Sequence, residues 1–321
     1  MIQITPWHWI GFIVCVLFFL ALDLGAFHRH ARTVTFKEAL AWSVVWITLA
    51  LIFGLALAHW RSHDEAVQFV TGYVIELSLS MDNILVIALI FTYFSVPKEY
   101  QHRLLFWGII GALAMRGAMI AAGVALIHRF DWILYVFGAF LVFTGIKMVF
   151  SRDEAIEPEQ NFVLKTTRKI FPVTKGFEGS KLFSKLDGKL ALTPLALVLL
   201  LIETTDLIFA LDSVPAVFAV TRKAFIVFTS NVFAILGLRS MYFLLAGAIG
   251  YFRYLKIGLS IVLVFMGIEM LLDPHDSLSP KWFQFRLATT TSLLVVGAIL
   301  AASMLLSVVA AQKEKRGPLK H

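Results

Sequence analysis

The chain has 321 residues, 59% of them hydrophobic and only 15% charged, with a mean hydropathy of +0.83. These values exclude an ordinary soluble domain and describe an all-α, polytopic membrane protein of about nine transmembrane helices. The formal net charge of +7 requires no nucleic-acid partner, because basic residues also collect on the cytoplasmic face of membrane proteins, beside anionic lipid.

Apolar stretches long enough to cross a bilayer are predicted at 7–27, 38–59, 67–91, 104–126, 132–150, 192–218, 225–248, 254–272 and 287–310. Residues 1–66 hold the first two. No Lys or Arg precedes the first, and no small-residue cleavage pattern follows it, so it reads as a retained helix. Cys15 lies within it as the one cysteine, which leaves no internal disulfide and no thiolate metal cluster. Most tryptophans fall near span ends, as at Trp7, Trp60, Trp107 and Trp132, where an interfacial belt is expected. With the N-terminus outside, 19 of the 28 Lys and Arg fall on inner segments and 6 on outer ones, and Arg116, Lys147 and Arg239 lie within spans. Basic loops resist translocation, so this asymmetry puts the N-terminus outside and the C-terminus in the cytoplasm.

Residues 67–150 form a first set of three spans, carrying the string Glu76-Leu-Ser-Leu-Ser-Met-Asp82-Asn83. Residues 151–190 make one long cytoplasmic loop with eight basic and six acidic residues and the turn-prone Asp187-Gly188. Residues 191–272 form a second set of three, carrying Glu203-Thr-Thr-Asp206-Leu-Ile-Phe-Ala-Leu-Asp212-Ser213. Residues 273–321 supply a last span and a basic tail.

The two sets echo each other. Leu141-Val-Phe143-Thr-Gly145-Ile-Lys-Met148 matches Leu263-Val-Phe265-Met-Gly267-Ile-Glu-Met270 at an offset of 122, Arg116 parallels Arg239, and Glu76–Asn83 aligns with Asp206–Ser213 at an offset of 130. In the assigned topology the sets run in opposite directions, the inverted three-helix repeat of many transporters, whose substrate site lies at mid-membrane where the repeats meet.

An ionised carboxylate at mid-bilayer costs about 2.5–3.5 kcal/mol, so five of them demand compensation. At 100° per residue Glu76, Ser80 and Asn83 share one helix face, as do Glu203, Asp206 and Ser213. Asp82 and Asp212 sit about 120° round from their acidic predecessors. Either the helix breaks there, as Pro215 would allow by freeing the Leu211 carbonyl, or each Asp faces a different neighbour. Arg116 and Arg239 are the charge-balancing or gating candidates, and their alternative role is buried ion pairing. The five acids and two arginines leave a charge of −3, which one divalent ion reduces to −1, and exchange of protons for metal follows as an expectation. Carboxylate, amide and hydroxyl oxygens suit hard ions such as Mn2+, Ca2+ or Mg2+, and all nine histidines lie at span ends, in loops or at a terminus. Lys147 and Glu269 lie close enough to span ends to snorkel. Asn231, with Thr229 and Ser230, reads as helix-joining, and Gly111, Gly117, Gly237 and Gly247 as close-packing positions.

On the second acidic string through Ser213-Val-Pro-Ala, with Asn231-Val-Phe-Ala-Ile-Leu-Gly-Leu-Arg239-Ser-Met-Tyr behind it, the chain resembles the TerC family of bacterial membrane proteins, and its Alx-like branch in particular, from about residue 38 to 272. The resemblance implies a multi-span inner-membrane protein, linked by name to tellurium resistance, that exports manganese or, in relatives, handles manganese and calcium. Carried over by motif, Glu76, Asp82, Asn83, Asp206, Asp212 and Ser213 would be ion-site residues. Thr204, Thr205 and Ser80 stand where the family more often shows other small residues.

The expected function is therefore secondary export of a divalent ion, Mn2+ ahead of Ca2+, through a metal site of Glu76, Asp82, Asn83, Glu203, Asp206, Asp212 and Ser213. No cofactor is expected beyond the transported ion, and the partners are that ion and the lipid bilayer. The alternative is a non-transporting scaffold in a metal or tellurite stress response that assembles stress-response partners through the 151–190 loop, and a homo-oligomer is a separate candidate assembly. No nucleotide-binding loop and no Gly-x-Gly-Asp protease string occur, so no enzymatic activity is expected.

Overall fold

A computed structural model of the protein describes residues 4–27, 35–130, 132–150, 162–174, 176–186, 188–245, 254–273 and 284–316. Ten helices run in chain order: α1 (Pro6–Phe27), α2 (Phe36–Trp60), α3 (His63–Tyr93), α4 (Lys98–Arg129), α5 (Ile133–Phe150), α6 (Phe162–Ile170), α7 (Pro194–Val220), α8 (Ala224–Leu245), α9 (Leu255–Leu272) and α10 (Thr289–Arg316). Eight of these, α2–α5 and α7–α10, have the length and apolarity to cross a membrane, and α1 adds a shorter apolar stretch, Pro6–Ala21. All nine predicted spans coincide with helices, so this is an all-α multi-pass membrane protein.

The helices begin and end where local chemistry dictates. Thr35 caps α2 in a reciprocal capping box with Glu38. Ser62 Oγ accepts from Glu65 N at 3.1 Å, which starts α3 at His63, four residues earlier than the hydropathy predicts. Pro97 at the N-cap of α4 likewise starts that helix at Lys98 rather than near 104, and Thr193 with Pro194 opens α7. Hydropathy misses the first turns of α3 and α4 because they are polar.

The long loop is structured in part. Residues 151–161 and Asp187 lie outside the described residues, but α6 and a two-stranded antiparallel hairpin, β1 (Phe183–Leu186) with β2 (Lys189–Leu192), follow. This hairpin is the one departure from helix among the described elements. Leu164 of α6 is buried in the same cluster as Phe91, Val96, Leu104 and Leu195, so α6 and the hairpin cap one end of the bundle, called here the hairpin end. The C-termini of α3 and α8 and the N-termini of α4 and α7 lie there.

In the bundle interior α3 packs on α7 and α8, and α4 packs on the same two helices; α2 lies against α3 and α8, and α10 against α9 and α3. The largest helix pair is α5 with α9. Their crossing is reciprocal. A Cβ on Gly145 would meet Ser260 O at 2.8 Å and Val264 N at 3.0 Å, and one on Gly267 would meet Gly138 O at 2.7 Å and Val142 N at 2.8 Å. Ser260, Val264 and Gly267 are Gly138, Val142 and Gly145 displaced by the 122-residue offset of the repeat. The two helices therefore touch through equivalent residues in both directions. Close packing thus falls on Gly138, Gly145 and Gly267. By contrast, Gly117 and Gly237 meet neighbours only at ordinary distances of 3.4 and 3.7 Å, and Gly247 lies outside the described residues.

Candidate ion-binding site

Arg116 reaches into the centre of the bundle from α4. Its side chain is 2% exposed, and the acids around it are as deeply buried, with Glu76 at 0% and Asp206 at 4%. Nη2 donates to Asp206 Oδ1 at 2.9 Å and Nε to Asp206 Oδ2 at 3.3 Å, a two-point grip on one carboxylate. Nη1 is paired with the Glu76 carboxylate on α3. The same nitrogen donates to Ser213 Oγ at 3.2 Å and Asn231 Oδ1 at 3.3 Å. Asn83 Nδ2 donates to Asp206 Oδ1 at 2.7 Å, so α3, α4, α7 and α8 all meet at this point.

The helix faces read from the sequence explain the convergence. Glu76, Ser80 and Asn83 are buried on one side of α3, and Asp206 and Ser213 on one side of α7. Asn231, expected to join helices, accepts from Arg116 while its amide donates to the Val227 carbonyl. Thr229 and Ser230 bond back to their own helix.

Besides the Glu76 oxygen paired with Arg116, four oxygens in this buried region are left without hydrogen bonds: Glu76 Oε2, Ser80 Oγ, Asn83 Oδ1 and Glu203 Oε2. Glu203 lies one helical turn from Asp206, towards the hairpin end, and its carboxyl group rests on the backbone of α4 at Gly111, in the space a Cβ there would need. Among the described residues it has no hydrogen bond or ion pair. A void of about 20 Å³, room for one water-sized particle, touches Asn83 and Asp206. Its remaining walls include Ile87, Leu105, Ile109, Ile202, Ile235 and Leu238, which close the site towards the hairpin end with aliphatic side chains.

Asp82 and Asp212 stand apart from this cluster. The Thr144 hydroxyl and the Lys147 ammonium of α5 act on Asp212, which is half-buried at the bundle's flank. Pro215 does not interrupt α7, which continues unbroken to Val220. Of the two arrangements open in the sequence, Asp212 therefore adopts the one that faces a different helix. Asp82 is half-buried on α3 and touches neither Arg116 nor Asp206. Arg239, the counterpart of Arg116, is buried in α8 but belongs to the contacts of neither Glu76 nor Asp206. Among the described residues no group of three or more His, Cys, Asp or Glu is assembled for a metal. Arginine, not a third acid, completes the central cluster.

A larger cavity of about 470 Å³ lies at the opposite, far end. It is lined by Asp64, Gln68, Thr221, Arg222, Glu269 and Asp273 among others. Gln68 bridges Asp64 and the Thr221 hydroxyl, each at 2.8 Å. Arg222 and Arg286 approach Asp273 at 3.5 and 3.2 Å. Beside it Glu65 accepts from Arg61 at 2.8 Å and from Lys223 at 2.9 Å. The hydrogen bond to Glu65 raises the Arg61 guanidinium above its already high ordinary pKa. Sequence reasoning missed this cavity because its residues come from four separate span ends, each polar for reasons of its own.

Comparison with known proteins gives one family. The integral membrane protein TerC family matches residues 61–315. An uncharacterized membrane protein of Myxococcus xanthus is 49% identical over 305 residues, covering 95% of this chain and 93% of that one. A protein of Escherichia coli K12 named putative membrane-bound redox modulator Alx is 47% identical over 277 residues, covering 84% and 86%. An uncharacterized membrane protein of Rickettsia bellii is 39% identical over 289 residues, covering 90% and 95%. No solved structure matches the chain.

Proposed function

Because the chain belongs to the TerC family of integral membrane proteins, we propose that it is a secondary transporter that exports a divalent metal ion, Mn2+ ahead of Ca2+, from the bacterial cytoplasm. The observation that carries this reading is the guanidinium of Arg116 held between Glu76 and Asp206 at the centre of the bundle. A pair of buried carboxylates that already needs one cation is chemically suited to accept another in its place.

The oxygens offered to a metal are those of Asp206, Glu76, Asn83, Ser80 and Ser213, a hard-donor set appropriate to Mn2+, Ca2+ or Mg2+. In the assigned topology the hairpin end faces the cytoplasm. An ion entering from there meets Glu203 first, over Gly111, and then Asp206. Arg116 must yield as the ion arrives, and Ser213 and Asn231 supply two neutral acceptors that keep it hydrogen-bonded once the carboxylates turn to the metal. The acids can carry protons on the return, which gives proton exchange as the coupling. Asp82 and Asp212 then belong to the sliding surfaces of α3 and α7 instead of the ion's immediate shell. Support for an inverted repeat comes from the reciprocal α5–α9 crossing and from α3 and α4 each packing on both α7 and α8.

The test is transport by the purified full chain in vesicles preloaded with Mn2+, with and without an imposed pH gradient. Release that depends on the protein and accelerates when the opposite compartment is acid supports the reading. A scaffold that used the Arg116 network only for packing would move no metal under any gradient.

A further inference from the structure

We propose that α6 is a membrane-surface helix whose exposed face binds anionic phospholipid headgroups of the leaflet in which the protein is embedded. The helix fastens itself to the bundle by one side only. Leu164 inserts among Leu104, Leu195 and their neighbours at the ends of α4 and α7, and α6 packs along α7. At 100° per residue Phe162, Thr166 and Ile170 lie on the opposite side, with Lys165 and Lys169 along its edge. Phe162 is 79% exposed and Ile170 66%.

The height of that face decides its partner. Leu164 packs with Leu104 and Leu195, near the starts of the apolar stretches of α4 and α7, so Phe162 and Ile170 fall at the predicted boundary between hydrocarbon and headgroups. Phe171, Phe183 and Leu190 of the adjoining segment are exposed as well. Residues 162–192 carry seven Lys and Arg against two acids. Apolar side chains flanked by basic ones that reach outward on long stems are the pattern of a helix lying in an anionic interface. A protein-binding face would be different, since the cores of protein interfaces are depleted in Lys. The inference does not depend on ion transport.

The experiment places an environment-sensitive fluorophore on the face, in the full chain with Cys15→Ser, through Ile170→Cys and separately through Thr166→Cys, so that one poorly folding variant does not decide the outcome. Each is reconstituted in vesicles of brominated phosphatidylcholine with and without phosphatidylglycerol. Quenching by the brominated chains that is several-fold stronger when phosphatidylglycerol is present, and that loses this dependence in Lys165→Glu/Lys169→Glu, is expected. Two results overturn the proposal: a probe open to an aqueous quencher and untouched by brominated lipid in both membranes, as a free or protein-binding face would give, or lipid quenching indifferent to phosphatidylglycerol. Because no metal is involved, failure here leaves the transport reading standing, and failure of transport leaves this one.

Discussion

At the scale of single residues, one guanidinium organises the site. Arg116 and its two acids carry a summed charge of −1, and among the described residues neither acid is ion-paired with another cation. Asp206→Asn removes the carboxylate that holds both Arg116 and Asn83. It is expected to lower Mn2+ flux in vesicles by more than ~10-fold, since charge-assisted bonds are worth about twice neutral ones. Asp212→Asn, which faces Thr144 and Lys147, is expected to retain Mn2+ binding; loss of binding in that variant and not in Asp206→Asn would reverse the assigned roles. Arg116→Gln separates binding from turnover. A unit charge about 5 Å away is worth roughly 3 kcal/mol at an effective dielectric of about 20, so Mn2+ should bind at least ~10-fold more tightly and cross more slowly. The empty variant should also melt earlier in detergent, because removing one partner of a buried pair costs about 3–5 kcal/mol, and Mn2+ should restore it. Gly111→Val addresses Glu203: the new side chain occupies the space of its carboxylate, which swings away on a flexible stem, so the fold is kept and transport is lost. Unchanged flux in that variant would remove Glu203 from the route.

At the scale of helices, packing is close where small residues let backbones touch. A Cβ on Gly267 would fall 2.7 Å from Gly138 O and 2.8 Å from Val142 N, both backbone atoms that cannot swing aside. Gly267→Leu is therefore expected to destabilise the α5–α9 pair by at least about 1–3 kcal/mol, read as an earlier thermal midpoint in detergent. Gly117→Ala, whose new atom meets Phe228 at 3.4 Å, is the tolerated control. Helix identity was legible in the sequence because every span is a long apolar run. Which glycines matter was not, because Gly111, Gly117, Gly138 and Gly145 look alike until a neighbouring backbone is brought against them.

At the scale of the whole molecule, the proposed topology says which end of the bundle meets the cytoplasm. The basic loop segments predict that the hairpin end lies inside. Lys189→Cys, on β2, should react with a membrane-impermeant maleimide only after cells are opened, whereas Arg286→Cys at the far-end cavity should react from outside, both in a Cys15→Ser background. The opposite pattern would invert the direction of every step drawn through Glu203 and Asp206. The cavity at the far end, about 470 Å³, is much larger than the void of about 20 Å³ beside Asp206 at the bundle's centre. In the proposed export cycle the aliphatic wall of Ile87, Leu105, Ile202 and Leu238 is the barrier that must part towards the hairpin end.

Composition and hydropathy alone determined that this is an all-α multi-pass membrane protein, and the shared faces of Glu76, Ser80 and Asn83 and of Asp206 and Ser213 followed from helical spacing. Those properties are local, set by transfer energies and by 100° per residue. Only the folded chain decided that Arg116 sits between the acids while Arg239 does not, that Asp212 turns to α5, and that Glu203 rests on Gly111. Each depends on which helices become neighbours, and that is decided by contacts between residues scores of positions apart, to which no local pattern in the sequence responds.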